Sequence, residues 1–194
     1  EACRYGQSEI VLLPLKAGSD PNSQDSLGKT PLLLVIENNK RLEIYDLLLK
    51  YKANPNAMDM YGDTPLHIAA MNSMDMSVMQ LLHQYGADVN GRNKQGITPL
   101  ALSIERQRKE HVEFLTQRGA DIHAEDIQGR SPLSRVLSPA QNTTMTEMLQ
   151  ILVNSNNISS RDSYGNTALH LAVESNASIE QVKYLLSLTG NVDD

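Results

Sequence analysis

Two kinds of apolar segment alternate along the chain. Short, nearly continuous runs such as "PLLLVI" (from Pro31), "PLHIAA" (from Pro65) and "ALHLAV" (from Ala168) are one kind. The other carries apolar residues at i, i+3 and i+4, as at Val78, Leu81 and Leu82, at Met148, Ile151 and Leu152, and at Val182, Leu185 and Leu186. Polar stretches rich in Asp, Asn and Gly separate them. This alternation predicts pairs of short helices in an all-α chain. A turn plus two short helices cannot bury its own apolar face, so the pairs must stack on one another into an elongated solenoid.

The polar stretches are in register. "DSLGKTPLL" at Asp25 is followed by "DMYGDTPLH" at Asp59, "NKQGITPLA" at Asn93, "DIQGRSPLS" at Asp126 and "DSYGNTALH" at Asp162. Their glycines, Gly28, Gly62, Gly96, Gly129 and Gly165, are 34, 34, 33 and 36 residues apart. Each copy reads mechanically. Asp-x-x-Gly-x is a tight turn whose Gly takes positive φ, and the Asp side chain can bond its own backbone. Thr30, Thr64, Thr98, Ser131 and Thr167 stand where an N-cap hydroxyl is wanted. Pro31, Pro65, Pro99 and Pro132 follow at the first helical position, where a missing N–H is harmless. A second signature, "LLKYKANPN", "LLHQYGADVN", "FLTQRGADIH" and "ILVNSNNIS", lies between the turns, and in it Gly86 and Gly119 end the second helix as left-handed caps.

The register also disposes of a nucleotide-site reading of Gly28-Lys29-Thr30. A phosphate loop needs an earlier glycine five residues before Gly28, and Ser23 stands there. Lys29 occupies the freely varying position of the tripeptide, filled in the other copies by Asp63, Ile97, Arg130 and Asn166.

These units resemble ankyrin repeats: D-x-x-G-x-T-P-L-H, a helix pair, then L-L-x-x-G-A-D-x-N, at a period near the ~33 residues of that family. The resemblance covers essentially the whole chain as one domain, with a truncated unit over 1–24 and full units over 25–58, 59–92, 93–125, 126–161 and 162–194. It implies short turn or hairpin fingers beside the first helices, forming a concave groove. It also implies that His67 and His170 hydrogen-bond the turn and the neighbouring unit. Departures from the pattern carry expectations of their own. Pro14 should kink or shorten the helix of the truncated unit at ~3 kcal/mol if internal. Lys52 replaces a capping glycine, so that cap is expected to be weaker or differently shaped. The unit 126–161 carries about three extra residues in "RVLSPAQNTTMTEM", with Pro139 limiting its first helix; its Ser138–Thr146 loop is either frayed or makes a contact of its own.

Composition narrows the function. A net charge of −6 and a pI near 5.3 leave no basic stripe for nucleic acid. No apolar run approaches the ~20 residues that span a bilayer. The lone Cys3 cannot form an internal disulfide and fits a reducing intracellular setting, cytoplasm or nucleus. There is no signal peptide, and the chain does not begin with Met, which points to a piece of something longer. No H-E-x-x-H, C-x-x-C, G-x-S-x-G or G-x-G-x-x-G occurs, and His83, His111 and His123 sit at scattered variable or helix-surface positions without ligand spacing. Arg106, Arg108 and Lys109, interleaved with Glu105 and Glu110, read as a solvated helix face. The expectation is a non-enzyme that uses no metal, cofactor or small-molecule substrate.

Function then falls to a surface. The resemblance places partner contacts at the finger tips and the ends of the first helices. The candidates are Leu27, Lys29, Met60, Tyr61, Met71, Lys94, Ile97, Arg106, Ile127, Arg130 and Tyr164, with Arg4 and Tyr5 from the truncated unit. Turn tips have no structural need for large apolar side chains, so the residues there read as anchors for a partner protein or peptide; the alternative for Leu27, Ile97 and Ile127 is packing on the adjacent finger. Met60 and Met71 fall on the same face, and methionine adapts readily to partners. The acidic balance mildly favours a basic partner segment, as for inhibitors of NF-κB-type transcription factors. A targeting or substrate-recruiting arm of a larger enzyme is the other reading.

Overall fold

The structure is a computed structural model in which residues 11–38, 41–72, 75–137 and 143–189 are described. Expectations placed on Cys3, Arg4, Tyr5 and Pro139 lie outside them. Among the described residues the ordered elements are helices, with no strand. After a helical segment at 11–16 (α1) come α2 (Pro31–Glu37), α3 (Leu42–Lys50), α4 (Pro65–Met71), α5 (Met76–Gln84), α6 (Pro99–Glu105), α7 (Lys109–Gln117), α8 (Pro132–Val136), α9 (Thr143–Leu152), α10 (Ala168–Glu174) and α11 (Ile179–Thr189).

The start of each first helix follows its sequence. The hydroxyls of Thr30, Thr98 and Ser131 accept the amides of Leu33, Ala101 and Ser134 at 3.4, 3.3 and 3.1 Å. Thr64 and Thr167 work through histidine: their amides donate to the Nδ1 of His67 and His170 at 3.2 and 3.3 Å. Pro31, Pro65, Pro99 and Pro132 each open their helix.

Contacts divide the chain into two compact units, Glu1–Lys94 and Gln95–Asp194. In the first, α2 packs on α3 and α4, α4 on α5, and α3 on α5. Leu32, Leu33, Ile36, Tyr45, Leu48, Leu66, Met79 and Leu82 are fully buried between them. Each such side chain removed from water contributes about 2 kcal/mol, which is why the apolar stripes of neighbouring pairs must face one another. In the second unit α6 packs on α7 and α8, α7 and α8 on α9, and α10 and α11 close on α8 and α9.

Several expectations need correcting. Lys52 does not reshape its cap: it adopts φ +67°, close to Gly86 (+87°) and Gly119 (+79°). Its amide bonds Leu49 O at 3.0 Å as Gly86 bonds His83 O at 3.0 Å, so the hydrogen bonding is kept and only the left-handed strain of a side-chain-bearing residue remains. Pro14 does not end α1, which continues to residue 16. Leu186, assigned to the apolar stripe of α11, is half exposed. His111, expected at a helix surface, is buried on α7.

Candidate functional site

The site begins with the turns. In each of the four Asp-led fingers one carboxylate oxygen collects two backbone amides. Asp25 takes those of Leu27 and Lys29 at 2.8 and 2.9 Å, and Asp59 those of Tyr61 and Asp63 at 2.8 and 3.0 Å. Asp126 takes Gln128 and Arg130 at 2.8 and 3.0 Å, and Asp162 takes Tyr164 and Asn166 at 3.0 and 2.8 Å. These aspartates are structural, as their recurrence predicts. Burial by itself would push the Asp162 carboxyl up, but the amide and side chain of Asn166 and the amide of Tyr164 hold it below the ordinary carboxylate range.

Fingers are stitched to their neighbours by backbone. Within the first unit, Met60 N donates to Leu27 O at 2.9 Å and Lys94 N donates to Tyr61 O at 3.0 Å. Within the second, Ile127 N donates to Gln95 O at 2.9 Å. The equivalent pair at the last junction, Ser163 N and Gln128 O, makes no such bond. There Ser163 Oγ donates to Glu125 Oε1 at 2.8 Å, and an opening of about 440 Å³ separates the fingers. The glycines register the difference. A Cβ on Gly28 would lie 3.0 Å from Met60 N and one on Gly62 2.8 Å from Lys94 N, whereas one on Gly129 would meet nothing within 4 Å.

Against this frame the eleven candidates separate. Leu27, Met60 and Tyr61 are exposed by 46, 45 and 55% on stitched fingers, and Ile127 and Tyr164 by 73 and 76%. Lys94, Arg106 and Arg130 are exposed, while Met71 and Ile97 are half-buried. Lys29 is engaged within the chain: its Nζ sits 2.6 Å from Glu37 Oε2 and only 13% of its side chain is exposed. Hydrogen bonding to Glu37 holds the ammonium above its usual range. Arg130 bonds Asp126 Oδ2 at 3.0 Å while staying half exposed.

Sequence reasoning missed one cluster altogether. Arg135, on α8 with 7% of its side chain exposed, pairs with Asp126 and with Glu105 at the end of α6. The recurrence of Asp126 as a turn residue hid a second role as a buried counter-ion. It also missed an asparagine link between successive repeats. Asn22 bonds Lys52 O and Asn54 N at 3.0 and 2.6 Å, and Asn56 bonds Gly86 O and Asp88 N at 2.9 and 2.8 Å. In the second unit His123 holds the corresponding place and reaches Ser160 Oγ at 2.9 Å. The "PN", "VN" and "IH" of the second signature were the available signal.

Among the described residues no group of three or more His, Cys, Asp or Glu could hold a metal ion, and no helix is long and apolar enough to cross a membrane. Comparison with protein families finds a match to ankyrin repeats in three copies, over residues 1–93, 41–126 and 127–194. A search of the curated proteins finds no match.

Proposed function

Because the chain belongs to the ankyrin-repeat family, whose repeats are protein-interaction modules, we propose that it is a non-enzymatic scaffold that captures a partner protein or peptide through its finger tips and first-helix ends. The observation that carries this reading is the row of exposed apolar side chains on stiffened turns. Leu27 and Met60 stand on adjacent fingers joined by a 2.9 Å backbone bond, with Tyr61 next to Met60 on the same tip. A side chain held on a hydrogen-bonded turn loses little conformational freedom on binding, which is how preorganisation raises affinity. Tyrosine adds a rigid amphipathic ring of the kind that anchors interfaces. Met60 can refit to the partner. Lys29, held by Glu37, takes a smaller part than the apolar tips. The net charge of −6 supports a basic partner segment met inside the cell.

The test is affinity capture from cells followed by mass spectrometry, comparing the wild type with the Tyr61→Ala, Tyr164→Ala double variant. Both rings are more than half exposed, so thermal stability should change little. Capture of the partner should fall by at least about 30-fold, the effect of losing one ~2 kcal/mol anchor. Equal capture by both proteins would mean that another face binds.

A further inference from the structure

Resting on that protein-binding reading, we propose that the tips of the first unit read an extended partner segment of the pattern Leu-x-Leu-x-Glu. Its two apolar side chains meet Leu27, Met60 and Tyr61, and its carboxylate meets Lys94. The backbone makes these four residues one ridge. Met60 N donates to Leu27 O at 2.9 Å and Lys94 N donates to Tyr61 O at 3.0 Å, so bonded main chain runs from Leu27 through Met60 and Tyr61 to Lys94 without a break. All four are exposed, and all four belong to the unit Glu1–Lys94. The spacing selects an extended occupant. Hydrogen-bonded backbones lie ~5 Å apart and successive residues ~3.8 Å, which puts Leu27 and Lys94 about 13 Å from each other along the ridge. In an extended segment residues i and i+4 are also about 13 Å apart, and with i+2 they point to one face. Three alternate side chains of the partner therefore fall on Leu27, on Met60 and Tyr61, and on Lys94.

Charge gives the ridge a direction. Lys94 ends it with a cation that has no counter-ion: among the described residues nothing accepts a hydrogen bond from its ammonium. The other charges nearby are spent within the chain. Asp25 and Asp59 each take two turn amides, Asp63 accepts from Asn93 Nδ2 at 2.8 Å, and Lys29 is held by Glu37 at 2.6 Å. Lys94 Cγ stands 3.2 Å from the point that a Cβ on Gly62 would occupy, so its stem starts against the turn that carries Tyr61. An exposed ammonium at one end of an apolar row is complemented by one acid at the matching end of the partner. The net charge of −6 belongs to the whole chain and acts on the rest of the segment. At this ridge the unanswered charge is positive.

The experiment is a titration of the ¹⁵N-labelled chain with acetyl-Leu-Ser-Leu-Ser-Glu-amide, and separately with the same peptide ending in Gln, followed by amide chemical shifts. The Glu peptide should shift Leu27, Met60, Tyr61 and Lys94 with a dissociation constant of order millimolar. The Gln peptide should shift the same amides and bind about threefold more weakly. A Lys94→Gln variant, with the dispersed spectrum of a folded chain, should bind both peptides alike, because the preference for Glu is a coupling between those two charges. The proposal is overturned if these amides do not move, if the wild type binds the two peptides equally, or if the variant keeps the preference. Should the peptides fail here while the Tyr61→Ala, Tyr164→Ala variant still loses its partner, the Leu-x-Leu-x-Glu pattern falls and the protein-binding reading stands. Should that variant keep its partner, it is the reading itself that fails.

Discussion

The junction between fingers 25–29 and 59–63 and the junction between fingers 126–130 and 162–166 use the same local parts and close differently. Both fingers of each pair bend through an Asp oxygen that takes two amides and a glycine of positive φ. In the first pair the next finger lies against Gly28, and Met60 N reaches Leu27 O at 2.9 Å. In the second, Gly129 is uncovered and Ser163 turns its hydroxyl to Glu125. The ion pairs differ as well. Lys29 bonds Glu37 of its own repeat and leaves Asp25 to the turn, whereas Asp126 is buried against Arg135, which also holds Glu105 of the preceding repeat. Turn chemistry fixes how a finger bends, and what lies behind it decides how close the next finger comes.

Asp126→Ala is the harshest way to break the comparison. It removes two turn bonds and leaves the Arg135 guanidinium buried with one partner fewer, an expected loss of about 3 kcal/mol in chemical denaturation. Asp25→Ala loses turn bonds at an exposed site and should cost about 1 kcal/mol. Equal losses would mean that the buried pair adds nothing.

Gly62→Ala and Gly129→Ala probe the spacing itself. Both place a Cβ at positive φ, but only at Gly62 does it run into backbone, 2.8 Å from Lys94 N. The expected destabilisation is about 3 kcal/mol at Gly62 and about 1 kcal/mol at Gly129. Thermal melts showing the same loss at both would contradict an open second junction.

Acid should loosen the second junction. Asp126 and Asp162 titrate below their ordinary value when folded; at Asp126 the cost of burial is outweighed by the amides of Arg130 and Gln128 and by the Arg130 side chain. Their contribution is therefore complete above the unfolded value of about 4 and is lost as the pH falls through and below it. In Asp126→Ala the loss of stability between pH 5 and pH 3 should be shallower than in the wild type.

The smallest effect is expected far from the fingers. Lys52→Gly should relieve left-handed strain and raise stability by up to about 1 kcal/mol, measured by thermal unfolding, with both junctions unchanged.

What the sequence made legible is what local chemistry sets. Threonine caps, first-position prolines, Asp-x-x-Gly turns and left-handed glycines act within four residues of themselves, and five in-register copies reinforce each other. The exposed tips Leu27, Met60, Tyr61, Ile127 and Tyr164 were legible for the same reason. Features set by distant residues were not. Arg135 looks like a solvated helix residue until Glu105, thirty positions earlier, is folded against it. Lys29 looks like a free finger tip until Glu37 comes round on α2. Nothing in "DSYGN" announces an open junction, although the longest step between glycines, 36 residues from Gly129 to Gly165, spans that junction. Of the two alternatives for Lys52, a differently shaped cap falls because the backbone, not the side chain, dictates the shape, and what remains is a cap weakened by left-handed strain.

Native-state amide hydrogen exchange tests the central contrast most directly, because the four equivalent amides can be read in one experiment. With the donors Met60, Lys94 and Ile127 engaged by Leu27, Tyr61 and Gln95, their amides should exchange slowly. The Ser163 amide should exchange at close to the rate of an unprotected residue. Protection of Ser163 equal to that of Met60 would mean that the last junction is stitched like the first, and the contrast between them would be lost.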